Sequence, residues 1–215
     1  ILRDSTNFPI YVRSAYVLQS ETFISEADIS EEIRALKPSD YVIGNIRALE
    51  AKLLPVEGEL IGVHIRMNAD IYRDVPGIQN IEPRSPASVA RMGPVISERS
   101  RCHYTGFISH MEEKLKNNPS ATFFIASDTS CAIVSLISKF PGKIISTDLE
   151  QLAFCEGSDS RGKACLQVCL AELLVLGSRV SSLILSEWSS ASELIQRLNS
   201  FKIPHETGCA TKTSF

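Results

Sequence analysis

The sequence predicts an α/β protein of the Rossmann-like class, in which a parallel sheet carries helices on both faces. Beyond residue 58, short apolar segments alternate with longer segments of helical periodicity; the predicted strands are 60–65, 121–126, 143–146 and 182–185. Strands that are apolar along their whole length are typical of parallel sheets, because helices bury both of their faces. A chain of 215 residues is long enough to bury such a core.

Capping residues and apolar spacing predict the helices. They are expected at 30–37, about 40–54, 104–117, 129–140, 162–176 and 189–198. Ser30 is placed as the cap of the first helix, which ends before Pro38 because a residue that precedes proline is disfavoured in helical conformation. The chain therefore divides into a helical and irregular connecting segment (1–57), a Rossmann-like domain (58–200) and an extended tail (201–215).

Charge and hydropathy exclude two classes of partner. The chain has 22 Lys and Arg residues against 25 Asp and Glu, a net charge of −3, so the basic surface of a nucleic-acid-binding protein is not expected. Its apolar runs are far shorter than the roughly 20 residues of a membrane span. The sequence begins with Ile1 rather than Met and has no signal-peptide pattern, so we expect a processed product, an isolated domain or an internal fragment.

The six cysteines leave the redox state open. Cys165 and Cys169 stand four residues apart in an apolar helical pattern, where cysteine usually fills a small core position. One or two disulfides are the alternative, with Cys155 or Cys209 as participants because both lie in loop-like polar sequence. No Cys-x-x-Cys pair occurs and the four histidines are scattered, so no metal site is expected.

Polar side chains follow the ends of the predicted strands, where ligands bind in open parallel sheets. They are His64, Arg66, Asn68 and Asp70 after the first strand, Ser127, Asp128 and Thr129 after the second, Thr147 and Asp148 after the third, and residues 186–190 after the fourth. Alternation places His64 and Arg66 on one face, where a guanidinium is suited to bind phosphate or carboxylate. The alternative is structural: Arg66 pairs with Asp70 or Asp128, and His64 is a buried, hydrogen-bonded side chain.

Two helix starts offer a second kind of anion site. Ser189 and Ser190 open the last helix, and Ser160 and Arg161 precede another; hydroxyls and free N–H groups at such ends can bind anions. Serine is also a common cap, so a purely structural role is the alternative. The glycine-rich dinucleotide motif, the P-loop and the Gly-x-Ser-x-Gly motif are absent, which disfavours the usual dehydrogenases, P-loop NTPases and α/β-hydrolases.

Four segments resemble, in the same order, motifs of the fucosyltransferase superfamily that includes the α1,6-fucosyltransferases and the protein O-fucosyltransferases. Residues 62–67 (GVHIRM) are similar to its His-x-Arg motif, and residues 124–128 (FIASD) to one of its strands. Residues 160–162 (SRG) followed by 171–176 (AELLVL) resemble its late helix, and residues 183–192 (LILSEWSSAS) resemble its Ser-Ser-x-Ser ending.

This resemblance implies the second half of a GT-B fold, which holds GDP-fucose for inverting transfer of fucose to a glycan or protein acceptor in the secretory pathway. No metal or other cofactor is implied. Arg66 would neutralise the donor diphosphate during catalysis, and Asp70 would activate the acceptor. The other donor-binding residues implied are His64, Asp128, Arg161, Glu172, Ser189 and Ser190.

The sequence also departs from the family pattern. Asp70 stands one residue further from Arg66 than the usual acid, Glu172 replaces the usual Asp, and Met67 replaces a second arginine. Most of the amino-terminal domain of the family has no counterpart here. An enzyme is the leading interpretation, and a catalytically inactive carbohydrate-binding or effector protein is the alternative. An unrelated α/β enzyme with His64 or Asp128 as base is a third.

Overall fold

A computed structural model of the chain describes residues 26–67, 101–156 and 162–209. Within these ranges the centre of the fold is a five-stranded sheet. Its strands are β1 (Leu60–Ile65), β2 (Thr122–Ser127), β3 (Ile144–Ser146), β4 (Ser182–Leu185) and β5 (His205–Thr207). The spatial order is β3-β2-β1-β4-β5, and every neighbouring pair is parallel. The predicted parallel sheet is confirmed.

Helices cover both faces of this sheet, as predicted. The described ranges contain α1 (Glu26–Ala35), α2 (Asp40–Leu53), α3 (Tyr104–Asn117), α4 (Ser130–Lys139), α5 (Leu149–Glu156), α6 (Lys163–Leu176) and α7 (Ser190–Leu198). On one face, α3, α4 and α5 share a buried apolar cluster with the odd-numbered residues of β1 and β2. On the other, α2, α6 and α7 pack against β4 and the even-numbered residues of β2. None of these helices is long and apolar enough to cross a membrane.

The central strand β1 marks the point at which the order of the strands reverses. Its side chains Ile61, Val63 and Ile65 are fully buried, and burial of an aliphatic side chain of this size contributes about 1.5–3 kcal/mol. From β1 the chain moves outward to β2 and β3, and then returns to β4 on the opposite side of β1. Rossmann-like domains bind ligands at the carboxyl ends of the strands beside such a switch point.

Three elements differ from the sequence prediction. Helix α1 begins at Glu26, so Ser30 is a buried residue inside the helix and its placement as the cap is wrong. The sequence pattern does not reveal α5, because eight residues are too few for apolar periodicity to stand out. Strand β5 lies in the predicted extended tail but pairs with β4 as a sheet edge. Its three residues are polar, so the apolar pattern that indicates the other strands is missing.

Two disulfide bonds join described cysteines. Cys102–Cys209 links the start of α3 to the end of β5, and Cys155–Cys165 links α5 to α6. Disulfides at Cys155 and Cys209, one of the alternatives from the sequence, are therefore present, whereas Cys165 is buried but bonded. Cys169 is exposed and unbonded, so the core position expected for it is wrong. Helix α6 is apolar on nearly every side, and periodicity therefore could not separate its buried face from its open one.

Gly208 allows the end of β5 to approach α3 closely. A Cβ atom at this position would lie 2.3 Å from ring atoms of Phe107, a residue with no solvent exposure. The phenyl ring is held in the core on its other sides, so it cannot move away without opening a cavity. Only glycine fits here, next to the disulfide at Cys209.

The substitution Gly208→Ala should therefore destabilise the fold by about 1–3 kcal/mol through overpacking against Phe107. Gly44→Ala is the matched control, because Gly44 is an exposed residue of α2 with no atom within 4 Å of the added Cβ. This control should stabilise the protein by up to about 1 kcal/mol through helix propensity. Urea unfolding of the two variants measures both effects, and a Gly208→Ala variant as stable as the wild type would contradict the packing described.

Candidate functional site

The carboxyl ends of β1, β2 and β4 bring together polar residues that are far apart in the sequence. Arg66 follows β1, Asp128 follows β2, and Ser186 follows β4. The backbone N–H of Arg66 donates to Ser186 Oγ at 2.8 Å, and the Ser186 N–H donates to the carbonyl oxygen of His64 at 3.0 Å. These bonds fix the two strand ends on either side of the switch point.

Arg66 and Asp128 form an ion pair between the ends of β1 and β2. Arg66 Nη1 donates to Asp128 Oδ2 at 2.7 Å, and the Met67 N–H donates to Asp128 Oδ1 at 2.8 Å. The ion pair between Arg66 and Asp128, one of the two structural roles that the sequence suggested for Arg66, is therefore present. The Arg66 side chain nevertheless keeps 40% of its surface exposed. In the described part of the chain, Asp128 is its ion-pair partner, and its Nε and Nη2 groups have none.

Opposing effects act on the pKa of Asp128. Burial raises its pKa to about 6, while the Arg66 charge and hydrogen bonds from the Met67 N–H and the Thr129 hydroxyl act in the opposite direction. The carboxyl group is therefore mostly ionised at neutral pH and balances one positive charge. The guanidinium has five N–H donors, so this pairing leaves donors for a second anion.

His64 is buried beside the start of α7. Its Nδ1 lies 2.8 Å from Ser192 Oγ. Burial and, secondarily, the Arg66 charge lower the pKa of His64 to about 3, so the imidazole is neutral at physiological pH. A group with so low a pKa is poorly suited as a general base near neutrality, which weighs against an unrelated enzyme with His64 as its base.

The amino end of α7 is anchored to this histidine. Ser189 is the cap of α7, and its Oγ accepts a hydrogen bond from the Ser192 N–H at 3.4 Å. Ser189 is buried, whereas Ser190 is exposed at the first position of the helix. The structure thus brings the start of α7 to His64, two residues before Arg66, and Ser189 acts as a cap, which is the structural alternative for it.

A second buried acid lies at the end of β3. Glu172 of α6 is only 4% exposed, and the Thr147 hydroxyl donates to its Oε1 at 2.5 Å. Burial raises the pKa of Glu172 to about 7, while the Thr147 hydrogen bond and the Lys52 charge act to lower it. This carboxyl group is close to half protonated at neutral pH.

Lys52 reaches this region from α2. Its Nζ donates to Asp148 Oδ1 at 2.8 Å and to the Ser146 carbonyl oxygen at 3.1 Å. Together with residues 144–149 it lines an open cavity beside Glu172. Sequence reasoning missed Lys52, because it belongs to a helix of the connecting segment and follows no strand.

The thiol of Cys169 is influenced by the charges of both acidic residues, Asp128 and Glu172. Cys169 is exposed and stands one helical turn before Glu172 on α6. Desolvation of its thiol by neighbouring groups and the charge of Glu172 raise the pKa of Cys169 to about 11, and Arg66 and Asp128 also act on it. The Cys169 thiol is therefore within electrostatic range of both the Arg66–Asp128 ion pair and Glu172.

Two predicted site residues, Asp70 and Arg161, lie outside the described ranges. The structure pairs Arg66 with Asp128 and His64 with the start of α7, and Glu172 lies against Thr147 at the end of β3. Among the residues described, no group of three or more His, Cys, Asp or Glu side chains is arranged to hold a metal ion.

The pKa of Glu172 generates a prediction about stability. The native state keeps this proton up to about pH 7, whereas the unfolded chain releases it near pH 4.5. The native state therefore binds more protons between these values, so the contribution of Glu172 to stability falls as pH rises through this window, by up to about 3 kcal/mol.

Glu172→Gln keeps a hydrogen-bond acceptor for Thr147 but cannot ionise. Relative to the wild type, the variant should gain stability as the pH rises from 5 to 7, and the gain should level off above pH 7. Urea unfolding at several pH values measures this difference. A difference that stays constant with pH would show that Glu172 does not hold its proton in the native state.

Comparison with known proteins supports the fold. The structure is similar to that of POFUT1, a protein O-fucosyltransferase, in complex with GDP, with a TM-score of 0.50 and 16% sequence identity. The match covers 83% of this chain and 49% of POFUT1. The apo form of POFUT1 matches at 17% identity with the same coverage and a TM-score of 0.49.

The chain thus spans about half the length of the matched structures. No protein-family model matches the sequence, and no curated protein is similar to it at a significant level. At this level of identity the likeness concerns the fold. The chain has a Rossmann-like α/β fold of the kind found in the fucosyltransferase POFUT1.

Proposed function

We propose that this domain binds GDP-fucose or a related nucleotide sugar as the donor of a glycosyltransferase. The observation that carries the proposal is Arg66, a half-exposed guanidinium at the switch point of the sheet. Among the described residues, Asp128 engages one of its nitrogen atoms. The fold likeness to POFUT1, whose structure was determined with GDP, and the order of the sequence motifs support the same ligand class.

The chemistry of glycosyl transfer gives Arg66 its role. As the bond between the sugar and the diphosphate breaks, negative charge accumulates on the leaving GDP. A fixed guanidinium stabilises that charge more strongly in the transition state than in the ground state, and this difference accelerates the reaction. The free N–H groups at the start of α7, with the Ser190 hydroxyl, would contribute in the same way. No step in this scheme requires a metal ion or another cofactor.

The Glu172 region suits the base of the nucleotide. Guanine presents adjacent N–H donors on one edge, and a carboxylate accepts both. The open cavity beside Glu172, with Lys52 and Thr147, offers space at this end of the sheet. Guanine N–H groups would favour the ionised carboxylate and lower the pKa of Glu172 in the complex.

The acceptor side of the reaction rests on residues outside the described ranges. Asp70 is proposed as the base that activates a hydroxyl of the glycan or protein acceptor, and Arg161 as a further contact to the donor. A base removes the acceptor proton as the oxygen attacks the anomeric carbon from the face opposite the leaving group, which inverts the configuration.

The two disulfides support a location in the secretory pathway. Structural disulfides form and persist in the oxidising endoplasmic reticulum and beyond it, and they are rare in the cytosol. Cys102–Cys209 and Cys155–Cys165 both cross-link elements of the described fold that would hold the donor. A donor domain of this kind would act on glycans or glycoproteins in that compartment.

Calorimetric titration with GDP tests the proposal. Arg66→Lys keeps the charge and should weaken GDP binding moderately, because an ammonium lacks the planar fork of donors. Arg66→Gln combined with Asp128→Asn removes both charges without leaving a buried carboxylate unpaired. This double variant should weaken binding by roughly 10- to 100-fold, which corresponds to the loss of charged hydrogen bonds.

Arg179→Ala is the matched control, since Arg179 forms a surface ion pair with Glu50 before β4, away from the strand ends that form the site. It should bind GDP as the wild type does. Equal GDP affinity in the wild type and in the Arg66 variants, or no binding to the wild type, would refute the proposal. Transfer assays with GDP-fucose then separate an enzyme from the alternative, a protein that binds the donor or a glycan without turnover.

A further inference from the structure

Asp128 shares the guanidinium of Arg66 with any anion that binds there. Its Oδ2 accepts from Arg66 Nη1 at 2.7 Å, and its Oδ1 accepts from the Met67 N–H at 2.8 Å. The Asp128 side chain keeps 21% of its surface exposed, against 40% for Arg66. The diphosphate of the proposed donor, bound to the open part of the guanidinium, would therefore lie beside a carboxylate that is largely buried.

These two anions would repel each other. The guanidinium is small and planar, so a phosphate oxygen that accepts from Nε or Nη2 of Arg66 would lie within roughly 6 Å of the Asp128 carboxylate. At this distance, and with little water between the charges, the phosphate disfavours the ionised form of Asp128. Binding of the diphosphate therefore raises the pKa of Asp128.

Protonation of Asp128 removes the repulsion. The O–H of a neutral carboxyl group can donate to a phosphate oxygen, while the other oxygen still accepts from the Met67 N–H. Arg66 then keeps its full charge for the ligand, because its partner is no longer an anion. The ion pair of the free protein is replaced by two groups that both donate to the diphosphate.

In the free protein, Asp128 is ionised at neutral pH, but by a small margin. Burial raises its pKa to about 6, and the Arg66 charge, with hydrogen bonds from the Met67 N–H and the Thr129 hydroxyl, acts in the opposite direction. A moderate further rise brings this pKa into the neutral range. The proton of the complex is then bound at physiological pH.

Arg66 is the charged neighbour that acts on Asp128 in the described part of the chain. The titratable groups of the elements beside it, His64 on β1 and Cys169 and Glu172 on α6, are shifted toward their neutral forms. Three further ion pairs involve neighbouring elements, and they are Lys52–Asp148, Arg101–Glu187 and Lys139–Glu112. The protonation of Asp128 is therefore governed mainly by the anion that binds Arg66.

We propose that Asp128 takes up a proton when the donor binds: its carboxylate holds Arg66 in the free protein, and its neutral form donates to the diphosphate in the complex. This inference rests on the proposed function, because the anion at Arg66 is the diphosphate of the nucleotide sugar. Since the complex binds more protons at Asp128 than the free protein does, the contribution of Asp128 to donor affinity grows as the pH falls.

Calorimetric titration with GDP-fucose tests this linkage. Both phosphates of GDP-fucose are esterified, so the ligand gains no phosphate proton near neutrality, whereas GDP does. Asp128→Asn supplies an amide that can donate to the phosphate without a proton and can still accept from the Met67 N–H. The ratio of wild-type affinity to Asp128→Asn affinity should rise roughly tenfold between pH 8 and pH 6.

Repeating the titrations at neutral pH in buffers of different ionisation enthalpy counts the protons directly. The wild type should take up about one-half to one proton more per donor than Asp128→Asn does. Both proteins retain Glu172, whose own proton change on donor binding cancels in this difference. Glu112→Gln is the matched control, since Glu112 pairs with Lys139 at the surface, and its proton count should equal that of the wild type.

A further variant covers the case in which Asp128→Asn does not fold. Glu172→Gln removes the other carboxyl group with a raised pKa, so its affinity for GDP-fucose should itself increase toward pH 6 with uptake of a proton. Equal proton counts in the wild type and Asp128→Asn, or no uptake by Glu172→Gln, would overturn the inference while donor binding stands. If GDP-fucose binds to none of the proteins at any pH, the proposed function fails and this inference fails with it.

Discussion

The ion pair between Arg66 and Asp128 is the constraint on which the candidate site depends. It joins the ends of β1 and β2, while the Arg66 N–H binds Ser186 beyond β4. Three strand ends are thus held at fixed distances around the switch point. The sequence offered an anion site and an internal ion pair as alternatives, but one guanidinium can serve both. Asp128 neutralises the partly buried charge of the Arg66 guanidinium. The remaining N–H groups of Arg66 can bind a second anion.

Two further buried groups of the candidate site, His64 and Glu172, are shifted toward their neutral forms. His64 is neutral because burial lowers its pKa far below neutrality, and Glu172 holds its proton into the neutral range because burial raises its pKa. In a medium of low dielectric constant an uncompensated charge is costly, so burial favours the neutral form of each group. Each also has a hydroxyl partner, Ser192 for His64 and Thr147 for Glu172. Among the described residues at the strand ends, Arg66 pairs with Asp128 and Lys52 pairs with Asp148. The diphosphate of the proposed donor would therefore meet cationic side chains that are already held in place by their partners.

The fold was more accessible to sequence reasoning than the site. Apolar strands such as Leu60–Ile65 and helices with clear periodicity such as Asp40–Leu53 are found at or near their predicted bounds, because burial on both faces or on one face dictates their composition. The polar strand β5 was not found, since its pairing with β4, and not its own composition, forms it.

Within the site, sequence patterns identified the strand-end residues, because parallel topology alone brings those ends together. They could not decide between Asp70 and Asp128 as the partner of Arg66. Nor could they show that Ser192 binds His64 or that Lys52 binds Asp148. These contacts join residues from elements whose relative packing no periodicity encodes. The roles of the individual residues toward a ligand remain predictions.

A disulfide as well as hydrogen bonds holds β5 and the residues that follow β4. Cys102–Cys209 closes a loop of 107 residues that includes β2, β3 and β4, and Gly208 lets the chain beside it pack directly on Phe107. Cys209 in turn accepts the Glu187 N–H, so the segment that carries Trp188 is held by an edge strand with only three residues of pairing. Such a short strand would fray if it depended on hydrogen bonds alone. The geometry of the site therefore depends on an oxidising environment, in which the disulfide forms. This bond holds β5 in place, and Cys209 in turn positions the residues that follow β4.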